Sequence, residues 1–401
     1  MINPSASGWI DKFFDLLVQD MGSENLNART FYRGVRNTGF IYGHVVLLNN
    51  IPENETKGWT TEEATKAALL TSLYDIYRLV TVKADPKVFI QKAILFYTRM
   101  TPESFSLLKR VLPAPVPTHQ LEDILNDRVH TNDNIISRNF SHILTNALLF
   151  MDVLAFRQFL INGEVPEKYL RRLEETVMSL VSMALKLKTH ESGYDELLVK
   201  LFESSVRYTK FSNIGYVDIA MLPLNYFSSE PEKNYLLDMA AMAMWNDNEG
   251  LIEPNSMEFL YSLAGQLHLD DEAVADSIAS FEVFMKINKD NIPYFKYSNP
   301  VKHFYDNATQ TVALLINRNR RRLTKELSNN GELMLLLTHS THRSLNAKEK
   351  KKIKKQLLEL CKTIPSLTIF LVPGGSLLLL LLIKFIPQLL PAMFNENLDR
   401  E

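Results

Sequence analysis

The stretch TTEEATKAALLTSLYDIY, Thr60 to Tyr77, decides the fold class. Thr60 and Glu63 have the spacing of a capping box. The threonine hydroxyl accepts from the backbone N–H of Glu63, and the glutamate reaches back to the N–H of Thr60. Behind it, Ala67, Leu70, Leu73, Tyr74 and Tyr77 keep a helical spacing, so the predicted helix has a continuous apolar face.

The same signals recur outward from this helix. Trp9, Ile10, Phe13, Phe14 and Leu17 share one helical face near the N-terminus. Asp85-Pro86 and Thr101-Pro102-Glu103 read as helix starts with proline at the first helical position. Residues 138–160 and 167–188 read as two long helices, parted by Asn162-Gly163 and Val165-Pro166. No strand–turn–strand series is present, and no alternating run exceeds about five residues. The expected class is all-α. Pro113 to Pro117 forms a stiff linker, and His190 to Gly193 a loop. Ser228-Ser229-Glu230-Pro231 opens a new segment, which closes between Asn291 and Pro300.

Composition narrows the class. Of 401 residues, 46% are apolar, which excludes global disorder, and 14 Gly with 17 Pro exclude fibrous classes. A net charge of −2 gives no global case for nucleic acid, and no specific DNA partner is expected. Cys361 is the single cysteine, so no internal disulfide can form. Asp11 and Asp15 interrupt the first apolar run, which argues against a secretory signal or a transit peptide. The bulk of the chain is expected in the cytoplasm.

The charge is unevenly placed. Residues 318–359 hold twelve Lys/Arg against four Asp/Glu, a net of +8, which leaves −10 for the remainder. Directly after this basic segment comes TIPSLTIFLVPGGSLLLLLLI, Thr363 to Ile383, 21 residues without a charge. About 20 such residues span a bilayer as a helix. Lys350, Lys351, Lys352, Lys354 and Lys355 stand just upstream, and juxtamembrane lysine stays on the cytoplasmic side. The expectation is a C-terminal anchor in a bacterial inner membrane or its equivalent. Pro365, Pro373, Gly374 and Gly375 break the run, and Lys384 and Pro387 follow it. A proline-broken span, a re-entrant hairpin and a buried core helix all fit such a segment.

The division expected is an N-terminal helical domain over 1–228, a helical module over 229–300, and a basic approach segment over 301–360. A membrane segment over 361–394 and a short tail over 395–401 follow.

Residues Leu345 to Lys352, Leu357 to Leu360, Ile364-Pro365, Val372-Pro373, Lys384-Phe385-Ile386-Pro387, Leu390-Pro391 and Phe394 carry a resemblance. The segment resembles the basic helix and proline-punctuated span of the leucine-zipper/EF-hand-containing transmembrane (LETM) family. That resemblance implies an integral membrane protein connected with cation/proton exchange or ribosome binding, and some bacterial relatives are termed biofilm-associated. The family has an acidic residue where Ser376 stands here. A carboxylate inside a membrane is the natural ion carrier, so the serine counts against exchange by the family mechanism. The family's soluble ribosome-binding region and calcium loops, which follow the span, are expected to be absent here. Residues Leu236 to Ser277, with Asn246 to Pro254 as an acidic turn, resemble the helical module of tellurite-resistance protein B, in which such a turn can face a metal.

Asp247, Glu249 and Glu253 in that turn are oxygen donors for a divalent cation, calcium or magnesium. Their spacing is not that of an EF-hand loop, and carboxylates capping the next helix explain them equally. His339 and His342 stand i, i+3 without a third ligand at metal spacing. Arg318, Arg320, Arg321 and Arg322, with the lysines at 348–355, suit phosphate, whether of anionic lipid or of RNA. No nucleophile elbow, P-loop, dinucleotide fingerprint or zincin motif is present. His44, His130 and Cys361 are isolated residues without a partner motif.

The expected function is a non-enzymatic membrane-anchored scaffold or adaptor without a cofactor. Its expected partners are membrane lipid, the ribosome or a second copy of the chain. The alternative is a subunit of a cation/proton exchange system.

Overall fold

A computed structural model describes residues 2–20, 26–49, 51–100, 116–129, 135–165, 168–188, 218–245, 254–288, 300–343, 346–364, 367 and 382–383. Among the described residues the chain is all-α, with no strand. The helices are α1 (Trp9–Asp20), α2 (Ala28–Asn37), the single turn α3 (Glu53–Thr56), α4 (Thr61–Val80), α5 (Pro86–Met100), α6 (Pro117–Val129) and α7 (Ile135–Asn162). Then follow α8 (Tyr169–Leu187), α9 (Glu230–Met244), α10 (Pro254–Gln266), α11 (Asp271–Asn288), α12 (Pro300–Asn329), α13 (Gly331–His342) and α14 (Ala347–Thr363).

The capping box at α4 forms as its spacing requires. Thr60 N donates to Glu63 Oε2 at 2.8 Å, and Glu63 N donates to Thr60 Oγ1 at 3.2 Å. The helix is buried on more faces than its periodicity implies, because Leu69 and Ile76 are buried as well as Leu70, Leu73, Tyr74 and Tyr77. It packs against α7, α6, α2 and α5, so it lies inside the helix assembly and not at its surface. α1 buries Trp9, Ile10, Phe13, Phe14 and Leu17 as one face. Its own sequence offers no N-cap acceptor at Gly8. Glu122 of α6 supplies one, accepting from Gly8 N at 3.1 Å and Ile10 N at 3.0 Å. α9 starts at a second capping box, Ser229 with Glu232, whose carboxylate also accepts from Tyr169 Oη at 2.6 Å. One side chain thus closes a helix end and fastens α8 to α9.

Aromatic rings fill much of the space between helices. Phe14 meets Tyr74 edge-on at 5.0 Å, Tyr74 meets Phe89 at 5.1 Å, and Phe96 meets Phe156 at 5.3 Å. Gly39 marks the turn after α2. Its φ is +77°, and a Cβ there would lie 2.2 Å from His44 O and 2.6 Å from the Phe284 ring. Only glycine meets both demands.

Two apolar clusters result. The larger draws on residues from Ile2 to Met285. The smaller holds Val312, Leu315, Leu323 and Leu327 of α12, Leu333 and Leu337 of α13, and Ile353, Leu357 and Cys361 of α14. Leu367 and Leu382, both from the uncharged C-terminal run, are fully buried in this second cluster. No described helix is long and apolar enough to cross a membrane. Residues 365–366, 368–381 and 384–401, with Pro365, Pro373, Gly374, Gly375, Ser376, Lys384 and Pro387, lie outside the described residues.

Candidate functional site

The polybasic helix α14 is the best-formed candidate. It begins with a reciprocal cap: Asn346 Oδ1 accepts from Glu349 N at 2.9 Å, and Asn346 N donates to Glu349 Oε2 at 2.8 Å. Arg343 adds a two-pronged bond to the same carboxylate, at 2.6 and 2.9 Å. The Arg343 hydrogen bonds, then that from Asn346, hold the Glu349 carboxyl down at about 2. The helix is therefore started firmly, although its sequence is crowded with like charges.

Its inner face is Ile353, Leu357, Leu360 and Cys361, all buried. At 100° per residue, Lys348, Lys351 and Lys355 fall in one stripe on the opposite side, and Lys350 and Lys354 flank the inner face. All five are exposed, and no described residue pairs with their ammonium groups. Lys352 is different: it pairs with Glu332 of α13, which also accepts from Gln356 Nε2 at 2.7 Å. That contact ties α14 to α13 and removes Lys352 from the free set.

Arg318 also departs from the expectation. The sequence groups it with Arg320, Arg321 and Arg322 as one phosphate-seeking run. In the fold, Arg318 turns to Glu63, with Nη1 to Oε2 and Nη2 to Oε1 both 2.8 Å, and Nη1 also donates to Gly58 O at 3.2 Å. Burial pushes the Glu63 carboxyl up, but the bonds and charge of Arg318, then Ser5 and Thr60, outweigh it and hold the group below its ordinary value. Arg320, Arg321 and Arg322 stay exposed, and no described residue pairs with their guanidinium groups. No local pattern announces the Glu63–Arg318 pair, whose members stand 255 positions apart.

Asp247, Glu249 and Glu253 lie outside the described residues, and among the described residues no group of three or more His, Cys, Asp or Glu could hold a metal. His339 Nδ1 lies 3.5 Å from the Arg343 guanidinium, a cationic neighbour that works against a second cation. Burial pushes His44 down to about 4, which suits a neutral packed imidazole.

A lysine presents a compact, hydrated point charge that contacts phosphate without reading a base. Five of them on one short helix make a surface for a polyanion. Residues 345–401 match the family described as LETM1-like, RBD. The RBD is a ribosome-binding domain. The match begins at the foot of α14 and includes the whole helix and the uncharged run. One expectation is corrected: the model described as LETM1-like, RBD matches residues 345–401, although the family's ribosome-binding region was expected to be absent. Residues 1–344 fall outside the LETM1-like match. No curated protein and no solved structure matches the chain.

Proposed function

We propose that this chain is a non-enzymatic adaptor that binds the ribosome through its LETM1-like segment and is held at a membrane by the uncharged run. The observation that carries the first half is the coincidence of the match with α14, whose outer stripe of Lys348, Lys351 and Lys355 has no partner among the described residues. Ribosomal RNA is a dense array of phosphates, and binding to it releases counterions. Replacing all three with glutamate leaves the inner face of α14 intact. Ribosome co-sedimentation is expected to weaken, and the slope of log affinity against log salt to become shallower by about 2. Unchanged binding across a salt series overturns this reading.

The membrane half is supported by 21 uncharged residues behind a lysine cluster. Burial of Leu367 and Leu382 in the second cluster keeps those two leucines on the protein. Full-length chain is expected to float with vesicles and to resist alkaline carbonate, and a chain ending at Ile364 to remain below. Should neither float, the run is a core element and the ribosome contact is made from solution.

A further inference from the structure

Pairing of α12 with the start of α4 creates a cleft of about 530 Å³ that the sequence gives no hint of. Trp59 and the backbone-proximal residues Ile2 and Asn3 form one side, and Asn317 with Arg318 to Arg322 forms the other. Trp59 is held in place, because its Nε1 donates to Ile2 O at 3.0 Å. Arg318 is anchored by Glu63, yet its buried Nε has no acceptor. Arg320, Arg321 and Arg322 are exposed cations without a described partner. The cleft therefore has surplus positive charge and an aromatic ring in one concave space.

We propose that this cleft binds single-stranded RNA, with a phosphodiester on the Arg320–Arg322 guanidiniums and a base against Trp59. Planar guanidinium groups pair phosphate oxygens two at a time and stack on flat rings, which ammonium groups do not. Aromatic side chains beside a cationic groove are the chemistry of single-strand binding, where every base offers a π-face. A lipid headgroup would use the cations but not the ring. The cleft lies outside residues 345–401, so the inference stands whether or not the LETM1-like segment binds ribosomes.

The protein carries its own probe. Of its three tryptophans, Trp9 and Trp245 are 3% and 4% exposed, and only Trp59 is half-buried at a cavity wall. Full-length chain in nonionic detergent is titrated with a 12-nucleotide uridine RNA while tryptophan emission is followed. The expected result is saturable quenching, with a slope of log affinity against log salt near −2 for about three phosphates. Arg320→Gln/Arg322→Gln is expected to weaken the affinity about tenfold at an unchanged melting temperature. In Trp59→Phe the quenching disappears, and labelled-RNA anisotropy shows an affinity lower by about fivefold. Quenching that inorganic phosphate reproduces, quenching by phosphatidylglycerol vesicles but not by RNA, or an unaltered affinity in the double arginine variant each overturns the proposal.

Discussion

Asp238→Ala is expected to destabilise the protein by about 3–5 kcal/mol, a drop in melting temperature of roughly 10 °C. Asp238 of α9 is fully enclosed and accepts four hydrogen bonds. Arg36 of α2 supplies two, Nε to Oδ2 at 2.9 Å and Nη2 to Oδ1 at 3.1 Å. Tyr32 Oη donates to Oδ2 at 2.6 Å, and Ser277 Oγ of α11 donates to Oδ1 at 2.5 Å. Arg36 is only 3% exposed, and its remaining partners are Asp276 at 2.7 Å, Ser280 at 3.3 Å and the face of Tyr32 at 5.2 Å. Removing the carboxylate leaves a buried cation half-compensated and two hydroxyl donors without acceptors, and the cost is that of the orphaned groups rather than of the lost pair. The companion variant Arg36→Met/Asp238→Leu removes both charges together. It is expected to recover part of the loss but not all, since Tyr32 and Ser277 still lack an acceptor. Urea denaturation of the wild type, single and double variants checks this. A single-variant loss under about 1 kcal/mol would contradict the assignment, as the pair would then be contributing no more than a surface contact does.

The second large effect concerns Glu63, where one carboxylate serves three segments. It closes the α4 cap through Thr60 N, holds Ser5 Oγ at 2.6 Å, and receives both arms of Arg318. Glu63→Ala removes all of these and strands the cation, so a loss of about 3–5 kcal/mol is expected. Arg318→Ala is milder, because the cap and the Ser5 bond survive it. The two variants also differ in their response to acid. The Glu63 carboxyl titrates below its ordinary value in the folded protein, so its contribution is complete above about pH 4.5 and is lost as pH falls through the lower folded value. The gap between wild type and Arg318→Ala is therefore expected to be widest near neutrality and to close in acid. Denaturation curves across pH 3–7 test this, and a gap that widens in acid would reverse the sign of the linkage.

What could be read from the sequence was local. The capping box at Thr60, the proline at the start of α5 and the period of α1 each depend on neighbours within a few residues, and each forms as expected. The lysine stripe of α14 belongs to the same class, because its spacing is a property of one helix. The contacts that join elements were not readable. Glu122 capping α1, Arg36 reaching Asp238 and Trp59 sharing a cleft with Arg320 to Arg322 depend on which helices meet, and nothing in the local pattern encodes that. Arg318 shows the cost of reasoning by proximity in sequence. Two positions separate it from Arg320, yet one is half-buried in an ion pair and the other is exposed.

The uneven charge has a further meaning once the helices are in place. The arginines of α12 and the lysines of α14 belong to one small helical unit with its own apolar cluster, while the rest of the chain carries the opposing charge. Such a body has a permanent electric dipole. Near a polyanion, the basic unit is drawn in while the acidic remainder is pushed away, so a torque acts before any contact forms. Encounters would then arrive already oriented, with the lysine stripe leading, and the fraction that succeed would fall as added salt shortens the reach of the field.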